Sequence, residues 1–408
     1  MRSNPVLDTD WQDFTVGELA EVKTGPFGSA LHASDYKLVG TPIITVEHLG
    51  ERRITRVNLP LVGDFDSRRL SAYQLLAGDI VFSRVGSIDR CALVTTDEAG
   101  WLFSGRLLRL RGKSQFYNPE LLIQIFKTPY FLNQVRAIAV GQTMPSLNTK
   151  ILNGIRVRVP TRLSEQNSIA AALADVDSLV DALDELIAKK RGIRQGVMQQ
   201  LLTGKMRLRG FSGEWQSTDL GDLVVFLKGF GLPKSVLDSS QGHPCIHYGE
   251  LFTSYGVKIE ETLSRTHGKN VKILANPNDV LMPTSDVTPT GLAVASAVGS
   301  YGIGIGGDIL IIRPKSDSLF GPFLANVIRF SKNQVLSLVA GSTVYHIYAS
   351  QMKKFRLVIP SLAEQIAIAE VLSDMDAEID AVVARREKTA LIKTGMMQEL
   401  LTARTRLL

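Results

Sequence analysis

One long segment of this chain is written twice. Residues 163–203 read LSEQNSIAAALADVDSLVDALDELIAKKRGIRQGVMQQLLT, and residues 362–402, 199 positions later, read LAEQIAIAEVLSDMDAEIDAVVARREKTALIKTGMMQELLT, with 18 of 41 positions identical and no gap. A repeat spaced by half of a 408-residue chain implies that what precedes each copy is repeated too. The chain is therefore expected to fold as two equivalent halves.

Both copies space their apolar residues four, then three apart: Ile169, Leu173, Val176, Val180 and Leu183 in one, Ile368, Leu372, Met375, Ile379 and Val382 in the other. That spacing is the seam of a coiled coil. A helix of 40 residues is about 60 Å long, more than a small domain covers on one side. Each copy needs a partner, and the natural one is the other copy. Two unrelated amphipathic helices would not share Glu165/Glu364, Asp175/Asp374, Asp177/Asp376 and Gln199/Gln398, none of which serves an apolar seam.

The repetition extends upstream. Trp11-Gln-Asp-Phe-Thr-Val-Gly-Glu-Leu19 matches Trp215-Gln-Ser-Thr-Asp-Leu-Gly-Asp-Leu223, and Gly25 matches Gly229. Gly40-Thr-Pro-Ile-Ile44 matches Gly242-His-Pro-Cys-Ile246, and Gly78-Asp-Ile-Val-Phe82 matches Asn278-Asp-Val-Leu-Met282, each a turn leading into a strand. Arg106-Leu-Leu-Arg-Leu-Arg111 faces Asp308-Ile-Leu-Ile-Ile-Arg313, and a helical stretch over 119–137 has its counterpart at 322–338. Strands ending at Pro160 and Pro360 close each half just before its long helix. The expected fold is α+β: two pseudo-repeated α+β domains separated by two long helices that pair as an antiparallel coiled coil. The boundaries are residues 1–160, 161–212, 213–360 and 361–408.

These features together, a duplicated unit with P-x(2)-L-S-E-Q-x(2)-I-A at the helix start and Q-Q-L-L-T-G-K-M-R after it, resemble type I restriction-modification specificity subunits over essentially the whole chain. The second copy departs slightly: it has Leu401-Thr-Ala-Arg-Thr-Arg406 where the first has Leu202-Thr-Gly-Lys-Met-Arg207, and one residue fewer between proline and leucine. The resemblance implies that residues 1–160 and 213–360 are target recognition domains, each reading one half of a bipartite double-stranded DNA sequence. It implies that the helices are spacers that set the distance between half-sites and dock DNA methyltransferase subunits, two of them, with restriction subunits joining through those. The alternative is a specificity subunit of another multi-subunit DNA methylase or phage-defence system, which neighbouring genes would distinguish. An enzyme acting alone is a further alternative, marked by tight binding of S-adenosylmethionine to the isolated chain.

Charge and motifs bear on these alternatives. A net charge of +6 permits a polyanionic partner without demanding one. Cys91 and Cys245 are too few for a disulfide framework or a cysteine-rich zinc site, and the first residues lack the apolar stretch of a signal peptide, so a cytoplasmic protein is expected. Residues 287–307 are uncharged over a membrane-sized length but carry Pro289 and many glycines, which reads as strands and turns, with no membrane partner. Gly302-Ile-Gly304-Ile-Gly-Gly307 satisfies G-x-G-x-x-G, yet a strand-like Asp308-Ile-Leu-Ile-Ile follows instead of a helix, so no dinucleotide cofactor is expected. His243, Cys245 and His247 alternate and could share a strand face, but the first half has Thr41, Ile43 and Thr45 there and no fourth metal ligand is evident. No Asn-Pro-Pro-Tyr-like motif, phosphate loop or nuclease carboxylate cluster stands out, which fits a subunit that aims the chemistry of others.

DNA contacts are expected from loop residues that reach phosphates or base edges. In the first half the candidates are Lys23, Arg84, Ser87, Arg90, Thr143 and Ser146; in the second they are Lys228, Lys234, Thr284, Ser285, Thr288, Thr343 and His346. For any one of them an ordinary solvated role is the simpler explanation. The loops Arg84-Val-Gly-Ser-Ile-Asp-Arg90 and Thr284-Ser-Asp-Val-Thr-Pro-Thr290 share almost nothing, so the two half-sites are expected to differ and the target to be non-palindromic.

Overall fold

A computed structural model describes residues 10–26, 31, 35–50, 53–138 and 146–407. The chain divides into two units that cut across the four sequence segments: Met1–Asp184 with Arg385–Leu408, and Glu185–Ala384.

In the first unit, β1 (Trp11–Thr15) pairs antiparallel with β10 (Arg156–Pro160), which ties the start of the domain to the strand feeding the long helix. A second sheet has the order β2-β9-β6-β7, from Ala20–Thr24, Leu107–Gly112, Ile80–Ser83 and Cys91–Leu93. A third has the order β3-β5-β4-β8, from Tyr36–Lys37, Leu61–Val62, Thr41–Ile44 and Leu102–Phe103, with β4 and β8 parallel. Strand β6 is buried along its length, the expected state of an apolar run with neighbours on both edges.

The second unit repeats this plan with added edge strands. Strand β11 (Gln216–Asp219) pairs with β24 (Arg356–Ile359). One sheet runs β12-β22-β18-β20-β15: Val224–Lys228, Ile309–Pro314, Val280–Pro283, Ser296–Val298 and Lys258–Ile259. The other runs β13-β16-β14-β21-β17: Leu237–Asp238, Ser264–Thr266, His243–Ile246, Ile303–Ile305 and Leu274–Ala275. A short pair, β19 (Ser285–Asp286) with β23 (Tyr345–His346), completes it.

The repeated turn before the central strand shows why the sequence matches there. Gly78 has φ 89° and Asn278, its counterpart, has φ 75°; asparagine is among the few other residues that tolerate this region. The aspartate that follows organises the corner. Asp79 accepts from the Leu76 N–H at 2.8 Å and binds Arg111 through both oxygens at 2.8 and 2.6 Å; Asp279 accepts from Asn276 at 2.8 Å and binds Arg313 at 2.9 and 2.7 Å. Two carboxylates buried this deeply persist because each oxygen has a donor and the charge has a guanidinium partner.

The long helices run over Leu163–Leu202 and Leu362–Leu400. In the first unit, Asp177 pairs with Lys393 at 2.7 Å and Asp184 with Arg386 at 3.0 Å, so numbers rise on one helix as they fall on the other and the two run antiparallel. In the second unit the same order appears in Lys190–Glu378 at 2.6 Å and Arg194–Asp376. The seam does more than join helices. Ile169 and Leu173 are buried in the core of the first unit with Leu121, Phe126, Val157 and Leu400, while Ile368 and Leu372 enter that of the second with Phe323, Phe355 and Leu201. Each such side chain contributes about 1.5–3 kcal/mol of burial. No helix among the described residues is long and apolar enough to cross a membrane.

Candidate nucleic-acid interface

The divergent loops are held on identical backbone clasps. In the first unit Arg84 donates its N–H to the Arg106 carbonyl at 2.9 Å, and its own carbonyl accepts from Leu147 at 2.8 Å; a bridge joins Val85 to Ser146. In the second, Thr284 donates to the Asp308 carbonyl at 2.8 Å and accepts from Ile347 at 3.1 Å, and Ser285 pairs with His346. Because the backbone is satisfied internally, side chains on the clasp can vary without disturbing the fold.

The structure thus brings Arg84 beside Ser146 and Ser285 beside His346, with Ser87 and Thr288 farther along the same two loops. Ser87 and Thr288 are exposed, and Thr288 donates to the Asp286 carboxylate at 2.7 Å. The His346 ring lies nearly parallel to that of Tyr348, centroids 5.9 Å apart, which presents an exposed aromatic face beside the clasp. Thr343 is exposed just before it, and Thr143 lies outside the described residues.

Other candidates stand differently. Lys23 is engaged within its unit, donating to the Ala72 carbonyl at 2.9 Å with its ammonium 4.7 Å from the Tyr73 ring centroid. Arg84 donates to the Gly105 carbonyl at 3.3 Å. Arg90 donates to the Leu49 carbonyl and lines a cleft with Asp177, Arg386 and Lys393 of the helices. Thr284 is buried, so its role on the clasp is the backbone one. Lys228 and Lys234 are exposed at the end of β12 and in the turn before β13.

Residues without an apolar role in the helix repeat turn out to be locks. Glu165 is 1% exposed and takes both oxygens to the Arg406 guanidinium, at 2.5 and 2.7 Å, while Trp11 donates at 3.4 Å. Glu364, also 1% exposed, binds Arg207 at 2.5 and 2.6 Å, and that guanidinium lies 5.6 Å from the Trp215 ring. The carboxylate holds the Arg207 pKa above its usual value. The neighbouring glutamines repeat as well: Gln166 donates to the Pro160 carbonyl at 2.7 Å and Gln365 to that of Pro360 at 3.0 Å, joining strand end to helix start. Sequence reading paired Arg207 with Arg406 by position but gave no reason to join them to the glutamates. Asp175, Asp374, Gln199 and Gln398, by contrast, are exposed.

Gly302–Gly307 leads into strand β22, and a Cβ on Gly304 would lie 3.0 Å from Val271, so packing against that residue favours glycine. Among the described residues no group of three or more His, Cys, Asp or Glu side chains could hold a metal ion. Burial pushes the Cys91 thiol up to about 12 and that of Cys245 to about 11, which leaves neither as a thiolate nucleophile at neutral pH. His247 accepts the Gly249 N–H at 3.1 Å through Nδ1. Burial lowers its pKa, Glu250 opposing and Lys234 adding to the shift. The neutral ring is the folded form, so its contribution to stability is complete above the unfolded value of about 6.5 and is lost as pH falls toward the folded one. Comparing urea midpoints at pH 7.5 and 5.5, the protein is expected to lose more stability on acidification than its His247→Gln variant; equal losses would contradict this.

A family model for the type I restriction modification DNA specificity domain matches residues 8–189 and 212–389. The chain belongs to that family. It is 23% identical over 98% of its length to a protein of Methanocaldococcus jannaschii assigned as the MjaX type I restriction enzyme specificity subunit, covering 95% of that protein. It is 26% identical over 75% of its length to the MjaVIII specificity subunit of the same organism, covering 74% of it. Among solved structures, the type I restriction-modification S subunit from M. genitalium shares the fold, with a TM-score of 0.63 at 13% identity over 98% of both chains.

Proposed function

We propose that this chain is the DNA-reading, non-catalytic subunit of a type I restriction-modification complex, with residues 1–160 and 213–360 as its two target recognition domains. Each reads one half of a bipartite, non-palindromic double-stranded target. Residues 161–212 and 361–408 are the spacers that set the separation of the half-sites and dock methyltransferase subunits, through which restriction subunits join, in the cytoplasm. The observation that carries this reading is the pair of matched clasps bearing unlike side chains: Arg84 and Ser146 on one, Ser285 and His346 on the other. A guanidinium suits guanine or phosphate, whereas hydroxyl, imidazole and aromatic groups suit other edges, so one scaffold presents two recognition codes.

Docking is supported by repeated helix positions whose side chains are accessible. Ile193 and Ile392 are each 50% exposed, and Asp175, Asp374, Gln199 and Gln398 are exposed as well, so each copy offers a partner the same side chains. A surface offered twice suits two methyltransferase subunits.

Long-read sequencing of methylated positions in cells carrying this chain and its methyltransferase is expected to return a two-part motif with unlike halves. Replacing residues 71–106 by the corresponding stretch of the second half should change one half only. A palindromic motif, or a swap that alters both halves, would refute the assignment.

A further inference from the structure

Among the described residues, the most exposed large apolar side chains sit side by side: Leu38 is 97% exposed and Val39 83%. They occupy an arch. Strands β3 and β4 both pair antiparallel with β5, Tyr36 and Thr41 each opposite Val62, so the residues between them pass over that strand. Gly40, at φ 147°, closes the arch so tightly that a Cβ would lie 1.9 Å from the Val62 oxygen. The arch is therefore held close against β5 at Gly40.

The second unit builds the same arch and caps it with polar groups. Gly242 has φ 103°, and a Cβ there would meet the Thr266 oxygen at 2.4 Å. At its apex the Asp238 carboxylate accepts from the Ser240 and Gln241 N–H groups at 2.7 and 2.9 Å. An apolar apex is thus not needed by the arch itself.

Its surroundings favour a nucleic-acid occupant. Lys37 immediately precedes the apex and is exposed, as is Arg106. Burial raises the Tyr36 phenol's pKa, with the Arg106 charge opposing that rise and the Asp35 charge adding to it. The Arg106 carbonyl anchors Arg84 on the reading clasp. A small aliphatic protrusion that follows an exposed lysine, on a domain read as DNA-binding, has the form of a groove-side wedge, which enters between base pairs and unstacks them.

We propose that Leu38 is a wedge that enters one base step of the first half-site, with Val39 beside it and Lys37 and Arg106 on the flanking phosphates, and that the second half-site is read without one. This rests on the reading of residues 1–160 as a DNA-recognition domain.

The test uses the full chain assembled with its methyltransferase subunits, and target duplexes with 2-aminopurine placed in turn at each position of the first half-site. Emission is expected to rise several-fold at a single step on binding. Leu38→Ser with Val39→Gln, which copies the polar character of the second arch, should abolish that rise and weaken binding about ten-fold, with the melting temperature unchanged. Leu38→Phe should keep the rise, and a mismatch at the responding step should restore the double variant's affinity. Binding of the target with no responding position, or a double variant indistinguishable from the parent, overturns the wedge alone. Loss of methyltransferase subunits from the double variant with DNA contacts intact also overturns it, making Leu38, Val39 and the exposed Phe65 a protein contact. Failure of the parent complex to bind any bipartite duplex removes the underlying reading as well.

Discussion

Replacing Arg406 by alanine is expected to destabilise the first unit by about 3 kcal/mol, the low end of the cost of leaving a buried charge without its partner. Arg406 lies six residues past the end of the second long helix, in a stretch without helix or strand. Here its guanidinium is bound to Glu165 through both oxygens and reaches Asp10 at 3.2 Å. Among the described residues, Glu165, 1% exposed in the folded chain, would keep Trp11 as its side-chain donor. The low end applies because the Arg406 side chain is itself 20% exposed, so solvent recovers part of the loss. Chemical denaturation of Arg406→Ala checks the size, and Glu165→Gln in the same chain should recover much of it by removing the stranded charge. A loss below about 1 kcal/mol would show that the pair behaves as an ordinary surface ion pair.

A chain ending after residue 211 is expected to form a homodimer. The first unit is completed by residues 385–408, and their counterparts 199 positions earlier are present in the half-chain. A second copy can therefore supply Arg207 to Glu165 in place of Arg406, and Arg194 to Asp177 in place of Lys393. Leu201 and Leu202 stand where Leu400 and Leu401 close the core. The replaced contacts are not all equal: Ile187 stands where Arg386 binds Asp184, so one ion pair is lost. Light scattering should give twice the mass of the half-chain, and Arg207→Glu should yield monomer or unfolded protein by placing two carboxylates together. Assembled with methyltransferase, the homodimer should methylate a palindrome built from the first half-site. A well-folded monomeric half-chain would show that the unit does not require the second helix.

Much of this was legible before any coordinates. The repeat located both long helices, and the shared Gly78/Asn278-Asp turn marked the central strand of each half, because a positive φ and a buried carboxylate admit few residue types. Glu165 and Glu364 were conspicuous as repeated charges, yet nothing in a linear sequence showed that Arg406 and Arg207 would meet them. The clasp was half legible. Its two loops were picked out by their divergence, but Lys23 and Arg90 proved to be engaged within the first unit, on Ala72 and Leu49, through contacts 49 and 41 residues apart. Leu38 and Val39 looked like any strand residues, since exposure is a property of neighbours and not of composition.

By itself the sequence determined that the chain is two copies of one plan, that each copy ends in a helix needing an antiparallel partner, and that the two halves carry unlike loops. Those properties are written in spacing and repetition, which local geometry converts directly into helices, strands and turns. Tertiary structure decided which part of each helix completes which unit, which repeated charges are buried locks and which are exposed, and which loop side chains stay available. These outcomes depend on pairings across 150 or more residues, such as Glu165 with Arg406 and Glu364 with Arg207. Desolvation makes such pairings decisive, because a buried carboxylate is tolerable only where the folded chain delivers a guanidinium to it.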